Sequence, residues 1–284
     1  MEIVFFERAG ESLVPTDVAR SLWSADQMHG VAISGALARA AEQAVLAEGG
    51  RELVPARHTV DLFRPAAMAP CFFATTVVRS SNRLALVDTL LLQDDEVMAR
   101  SSALFLKATE EPPGDVWKRT TPLPSPPDVP VAGPNDVRPP FFLSGGEWSQ
   151  NFAAHQNADH KTIWNTVPQV VSGEVSSGFS AAAAVADSTT LVTNWGSAGV
   201  NYINADVTLT LSRQPVGREI GLTALDHTSY DGVSVGSALV FDRAGALGTT
   251  IVTALSNAKR TVNFGEVFNG NRGDHGDQDP TSRV

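Results

Sequence analysis

One cysteine, Cys71, occurs in 284 residues, so an intrachain disulfide, a cysteine-rich metal cluster and dithiol chemistry are excluded. Basic residues are also scarce: 21 Lys and Arg against 31 Asp and Glu leave a formal charge of −10. Nucleic-acid and anionic membrane surfaces are bound chiefly through Lys and Arg, so neither is an expected partner. A local basic pocket for a small anionic ligand stays open. No apolar run approaches the roughly 18 residues of a membrane span. The opening "MEIVFFERAGE" lacks the basic and long apolar regions of a secretory signal, so a cytoplasmic location is expected. The six histidines show no metal-ligand spacing, and there is no glycine-rich phosphate loop of Walker or Rossmann type. No metal or cofactor is expected.

What is present is unevenly distributed. Hydrophobic residues make up 43% and charged residues 18%, enough apolar surface for packed cores and too little charge for disorder. The length suggests about two domains. Ten of the 17 prolines fall between Glu110 and Pro140. A segment so rich in proline reads as an extended linker that neither continues a sheet nor forms a helix. The end, "NGNRGDHGDQDPTSRV", has turn formers and little to bury, and is expected to be a mobile tail.

The same order of elements appears on each side of the linker. In the first half a helix from His29 precedes four strand-like runs, "RHTVDLFRP", "CFFATTVVRSS", "RLALVDTLLLQD" and "VMARSSALFLK". In the second, helix-like "SGFSAAAAVADSTTLVTNWG" precedes "YINADVTLTLSRQ", "EIGLTALDHTS", "GVSVGSALVFD" and "ALGTTIVTALS". Short polar turns such as Asp94-Asp95 and Tyr230-Asp231-Gly232 separate the strands. Helix then four antiparallel strands, twice, is an internal repeat of about half the chain. The first helix opens with "GVAISGALARAA", small or apolar on nearly every side, whereas a surface helix has one apolar stripe. A twisted antiparallel sheet curled around it would bury such a helix. Gly30 leaves the first amides of that helix unshielded, with a positive dipole end.

These residues resemble a known family. "LVPTDVARSLWSADQMHGVAISGALARAAE", "HTVDLFRPA" and "VVRSSNRLALVDTLLLQDDEVMARSSALFL" are similar to the type II (TesB-like) double hotdog acyl-CoA thioesterases. The resemblance runs over nearly the whole chain. It implies an α+β double hotdog, two tandem repeats each with a long central helix wrapped by an antiparallel sheet. The expected boundaries are an N-terminal hotdog at 1–109, the linker at 110–144, a C-terminal hotdog at 145–264 and the tail at 265–284. The implied reaction is hydrolysis of a fatty acyl-CoA thioester to free acid and CoA, with a homo-oligomer left open.

The resemblance also suggests site residues. The family's Asp, Thr and Gln in the C-terminal hotdog hold the attacking water. The Asp falls on Asp206, supported by the downstream Arg213 and Pro215, and the Thr falls on Thr228. The Gln does not carry over, since its position is Val252 or Thr253. Asp206 is the expected general base and Thr228 orients the water. The amides of Gly30 and Val31 are the expected oxyanion donors. His29, Arg57, Arg64 and Thr253 are the expected substrate contacts, and Arg57 is the repeat partner of Asp206. Asp187, near the end of the second helix, is a rival base, against which stands its reading as a helix-end polar residue. Ser34 and Ser180 lack a His-acid pattern, which argues against a serine hydrolase. The missing Gln motivates an alternative, a hotdog protein that binds acyl-CoA or another apolar acid without turnover.

Overall fold

The computed structural model describes residues 2–133 and 135–257. The expected tail at 265–284 and the end of the second unit at 264 lie outside the described residues. The first half contains β1 (Val4–Ala9), β2 (Ser12–Pro15), α1 (Gly30–Ala47), β3 (Leu53–Leu62), β4 (Phe72–Ser80), β5 (Leu84–Gln93) and β6 (Glu96–Lys107). After the proline-rich segment come β7 (Arg138–Leu143), β8 (Thr162–Thr166), β9 (Gln169–Val171), α2 (Gly178–Asp187) and α3 (Thr189–Thr193). Then follow β10 (Trp195–Gly196), β11 (Gly199–Val200), β12 (Tyr202–Asn204), β13 (Asp206–Leu211), β14 (Glu219–Tyr230), β15 (Val233–Asp242) and β16 (Gly245–Ser256).

The strands of the two halves join into one antiparallel sheet. Its order is β4-β5-β6-β3-β13-β16-β15-β14-β8-β7, with β12 beside the end of β16. The seam is the β3–β13 pair, in which Thr59 faces Thr208 and their hydroxyls are 3.2 Å apart. Tight turns set the registers. Asp94 and Asp95 take positive φ, as do Asp231 and Gly232, the left-handed pair that two-residue hairpin loops require. The burial of β5 and β13 alternates strictly along the strand, as expected of a sheet with one covered face. Val87, Leu91, Val207 and Leu209 point into the core.

Two expectations are corrected here. The second helix is not long: the run predicted as one helix breaks at Ser188 into α2 and the short α3. Ser188 carries the first break because its φ/ψ of −70°/1° leaves the helical region. The expected linker also ends in a strand. Arg138–Leu143, with Pro139 and Pro140, pairs with β8 and forms the last strand of the sheet. An edge strand tolerates proline because its outward side needs no amide donor.

The apolar surround of α1 has a further source besides the sheet. Besides β3–β6, α1 packs against α2. Ser34 Oγ donates to Ala183 O at 2.7 Å, and a Cβ on Gly35 would lie 3.1 Å from that of Ala184. The small residues therefore let two helix backbones approach each other, as well as the sheet. N-terminal strand β1 pairs with β2 and, in parallel, with β9 from the second half, so the opening residues tie the halves together.

Candidate active site

The start of α1 sits at a cavity of about 430 Å³. Its wall comes from the loop before α1, the end of β3, the α2–α3 junction and the segment around β12. Exposure grades the wall from mouth to floor. Leu22 and Phe63 are 58% and 54% exposed, whereas Met28, Ile33 and Val200 are 5% or less. An apolar floor with a few polar groups is the usual make-up of a small-molecule site.

Hydrogen bonds hold the loop that frames this mouth. Ser21 N donates to Gln27 O, Met28 N to Ala66 O and Met68 N to Asp26 O, at 2.8, 2.8 and 2.9 Å. The buried Gln93 amide bonds the backbone of Ala67 and Ala69 at 2.8–3.0 Å. Its one side chain thereby secures the turn that follows β3.

His29 is the N-cap of α1. Its Nδ1 accepts the Ala32 amide at 3.0 Å, and its Nε2 lies 2.9 Å from Val18 O. The acceptor role of Nδ1 requires a neutral ring with the proton on Nε2, and burial pushes its pKa down in the same direction. With both nitrogens engaged, His29 organises the helix start while its ring forms part of the wall. The next two amides, of Gly30 and Val31, make no hydrogen bond among the described residues. They are free donors at the positive end of an 18-residue helix.

A carboxylate from the other half of the chain lies against this helix start. A Cβ on Gly30 would fall 2.2 Å from Asp187 Oδ1 and 2.6 Å from Oδ2, so the Asp187 carboxylate fills the space that a side chain would need. Asp187 is 9% exposed. Asn204 Nδ2 donates to its Oδ1 at 2.9 Å, and Oδ2 has no hydrogen bond among the described residues. Burial pushes its pKa up to about 6, with the Asn204 bond opposing that rise. A carboxylate at the end of its own helix is disfavoured by the dipole; here the facing start of α1 offsets this.

The structure brings some of the sequence-predicted residues together and separates others. Gly30, Val31, His29 and Arg64 line the cavity, Arg64 at the mouth in an ion pair with Glu96. Asp206, Thr228, Arg57 and Thr253 do not line it. On β13 the core-facing residues are Val207 and Leu209, so Asp206 points to the opposite face of the sheet. There its Oδ1 accepts the Thr253 amide at 2.6 Å. Thr228 shares that face but lies on β14, beyond β16 and β15. Three strand spacings amount to ~14 Å, too far for Asp206 and Thr228 to hold one water. Arg57 faces Thr210 across the seam on the same outer side. Val252 is buried in the core.

Sequence reasoning ranked Asp187 second and missed Asn204. A signal for Asp187 was available: it is the only charged residue in "GFSAAAAVAD", at the helix end where an anion is least favourable. No local signal marks Asn204. The pseudo-equivalent start of α2 is covered, since a Cβ on Gly178 would meet Pro215 O at 2.7 Å and Gly217 O at 3.1 Å. Of the two pseudo-equivalent helix starts, that of α1 lines this cavity.

These features define the protein first by its fold, the hotdog, with helices against one face of a large antiparallel sheet. Solved structures share it. A tesB protein of Mycobacterium avium subs paratuberculosis matches 88% of this chain and 95% of its own at 15% identity, with a TM-score of 0.61. A hotdog protein of unknown function from Alicyclobacillus acidocaldarius matches 89% and 96% at 19% identity, with a TM-score of 0.58. The acyl-CoA thioesterase II TesB2 of Mycobacterium marinum matches 80% and 90% at 15% identity, with a TM-score of 0.53. Residues 19–106 match the family model described as the acyl-CoA thioesterase N-terminal domain, a stretch that includes the loop, α1 and β3–β5. No curated protein matches this chain in sequence. No helix among the described residues is long and apolar enough to cross a membrane, and no cluster among them could hold a metal ion.

Proposed function

We propose that this protein hydrolyses acyl-CoA thioesters, with Asp187 as the general base. The observation that carries this reading is the buried Asp187 carboxylate laid against the free amide end of α1, in an apolar-floored cavity. The acyl-CoA class is supported by the family match over residues 19–106. In this reading the chain is two tandem hotdog units, about 1–109 and 145–264, meeting at the β3–β13 seam.

The thioester carbonyl oxygen points at the Gly30 and Val31 amides, which stabilise the oxyanion that develops there. Asp187 removes a proton from a water as that water attacks the carbonyl carbon. A C–O bond forms, the tetrahedral intermediate collapses and the C–S bond breaks. The proton held by Asp187 passes to the departing CoA sulfur, which restores the carboxylate. A base whose pKa stands near 6 is ionised at neutral pH and still basic enough for this transfer. The acyl chain lies on the floor made by Met28, Ile33 and Val200.

Release of free thiol from a series of acyl-CoAs tests the proposal. The expected result is turnover by the wild-type chain; binding of acyl-CoA without thiol release would refute hydrolysis and favour the carrier reading. Asp206→Ala separates this site from the one first expected. It should leave turnover essentially unchanged and lower stability by about 1 kcal/mol through the lost bond to the Thr253 amide. A large fall in turnover with normal folding would return the base to Asp206.

A further inference from the structure

Asp187 alone is an insufficient account of the base, because an isolated buried carboxylate protonates or turns away from its substrate. Asn204 supplies what is missing. It stands at the end of β12, where the chain pairs Asn204 with Ala254 of β16 before entering β13. This fixes its backbone on the rim of the sheet, and its side chain reaches the cavity wall. From there its amide nitrogen donates to Asp187 Oδ1 at 2.9 Å.

Resting on the thioesterase reading, we infer that Asn204 is a positioning residue for the reaction. Its amide holds Asp187 Oδ1, leaves Oδ2 as the oxygen that meets water, and favours the ionised carboxylate inside an apolar cavity. The geometry has a second consequence. Asp187 terminates α2 and Asn204 lies beyond α3 and the β10–β11 hairpin, so their bond also ties the broken helix to the sheet edge. The groups facing Asp187 are the Asn204 amide and the start of α1 at Gly30. His29 lines the same cavity as a neutral ring, and Arg64 lies at the mouth, paired with Glu96. The uncharged Asn204 amide is the side-chain donor bonded to the carboxylate among the described residues.

The test compares Asn204→Leu, which keeps the bulk and removes the donor, with Asn204→Ser, which keeps a shorter donor. Loss of a hydrogen bond to the charged form moves the acid limb of kcat/KM to higher pH, by about one unit. For Asn204→Leu the plateau also falls about tenfold or more with KM little changed, and Asn204→Ser recovers part of both. A purely structural role would lower the plateau of both variants and leave the limb in place, which would overturn the inference. A second readout needs no turnover. Carbon-13 NMR titration of the Asp187 carboxyl, assigned by its loss in Asp187→Asn, should show the same upward movement in Asn204→Leu. An unchanged midpoint refutes the Asn204 role even if hydrolysis stands. A moved midpoint in a chain that releases no thiol preserves the Asn204–Asp187 coupling and refutes the thioesterase reading instead.

Discussion

Asp187→Asn is expected to abolish nearly all thioester hydrolysis and, above pH 7, to make the protein more stable. The first effect follows because an amide can hold water but cannot accept its proton; general-base removal typically costs ~10²–10⁴ in rate. The second follows from proton linkage. Burial raises the folded-state pKa of Asp187 from 3.8 to about 6. Between those values the folded chain holds a proton that the unfolded chain has lost, so stability falls as pH rises through the window. Above it the charged carboxylate costs on the order of 3 kcal/mol. Asparagine carries no such charge, so urea unfolding should favour the variant at pH 8 and show little difference at pH 4. The wild-type acid limb of kcat/KM should lie near pH 6. An active Asp187→Asn enzyme would exclude Asp187 as the base, and a variant less stable at pH 8 would show that the carboxylate is not strained in the fold.

Gly30→Ala is the second large effect. The change adds one methyl group at the first position of α1, where the helical backbone accepts alanine. Its Cβ, however, would lie 2.2 Å from Asp187 Oδ1. The atoms it meets are the end of a side chain, so the carboxylate swings aside while the backbones stay. Misplacement of a catalytic group by about 1 Å costs ~10² in rate. The expected variant is therefore folded, with an unfolding midpoint close to wild type, and at least about 100-fold slower. Gly30→Val should act in the same direction. A fully active Gly30→Ala chain would place the reacting carbonyl away from this helix start.

Much of the scaffold was legible before any coordinates. The run "RLALVDTLLLQD" placed β5 to within a residue at each end, because its strand-forming composition and the polar turns that bound it are local properties of the chain. The run "YINADVTLTLSRQ" was read as one strand where the structure has β12 and β13, whereas β14, β15 and β16 were read singly from composition and their turn residues. The Pro139-Pro140 strand was not legible, because proline is acceptable only at a sheet edge and edge position is a fact of topology. The break at Ser188 was hidden as well: "AVADSTTLV" continues an apolar pattern that serves one helix or two.

The site divides along the same line. The sequence by itself determined the helix start at His29-Gly30, the small residues that let α1 be buried, and the presence of one carboxylate in an otherwise uncharged α2. It could not determine which acidic residue meets that helix start. Asp206 had a family register in its favour, but a strand residue faces one side of the sheet or the other, and β13 turns Val207 inward and Asp206 outward. Gly30 and Asp187 are 157 positions apart (187 − 30). They meet because α1 and α2 pack against each other on one face of a sheet continuous through β3 and β13. Only that tertiary packing puts a buried carboxylate against the free amides, since neither helix alone holds both halves of the site.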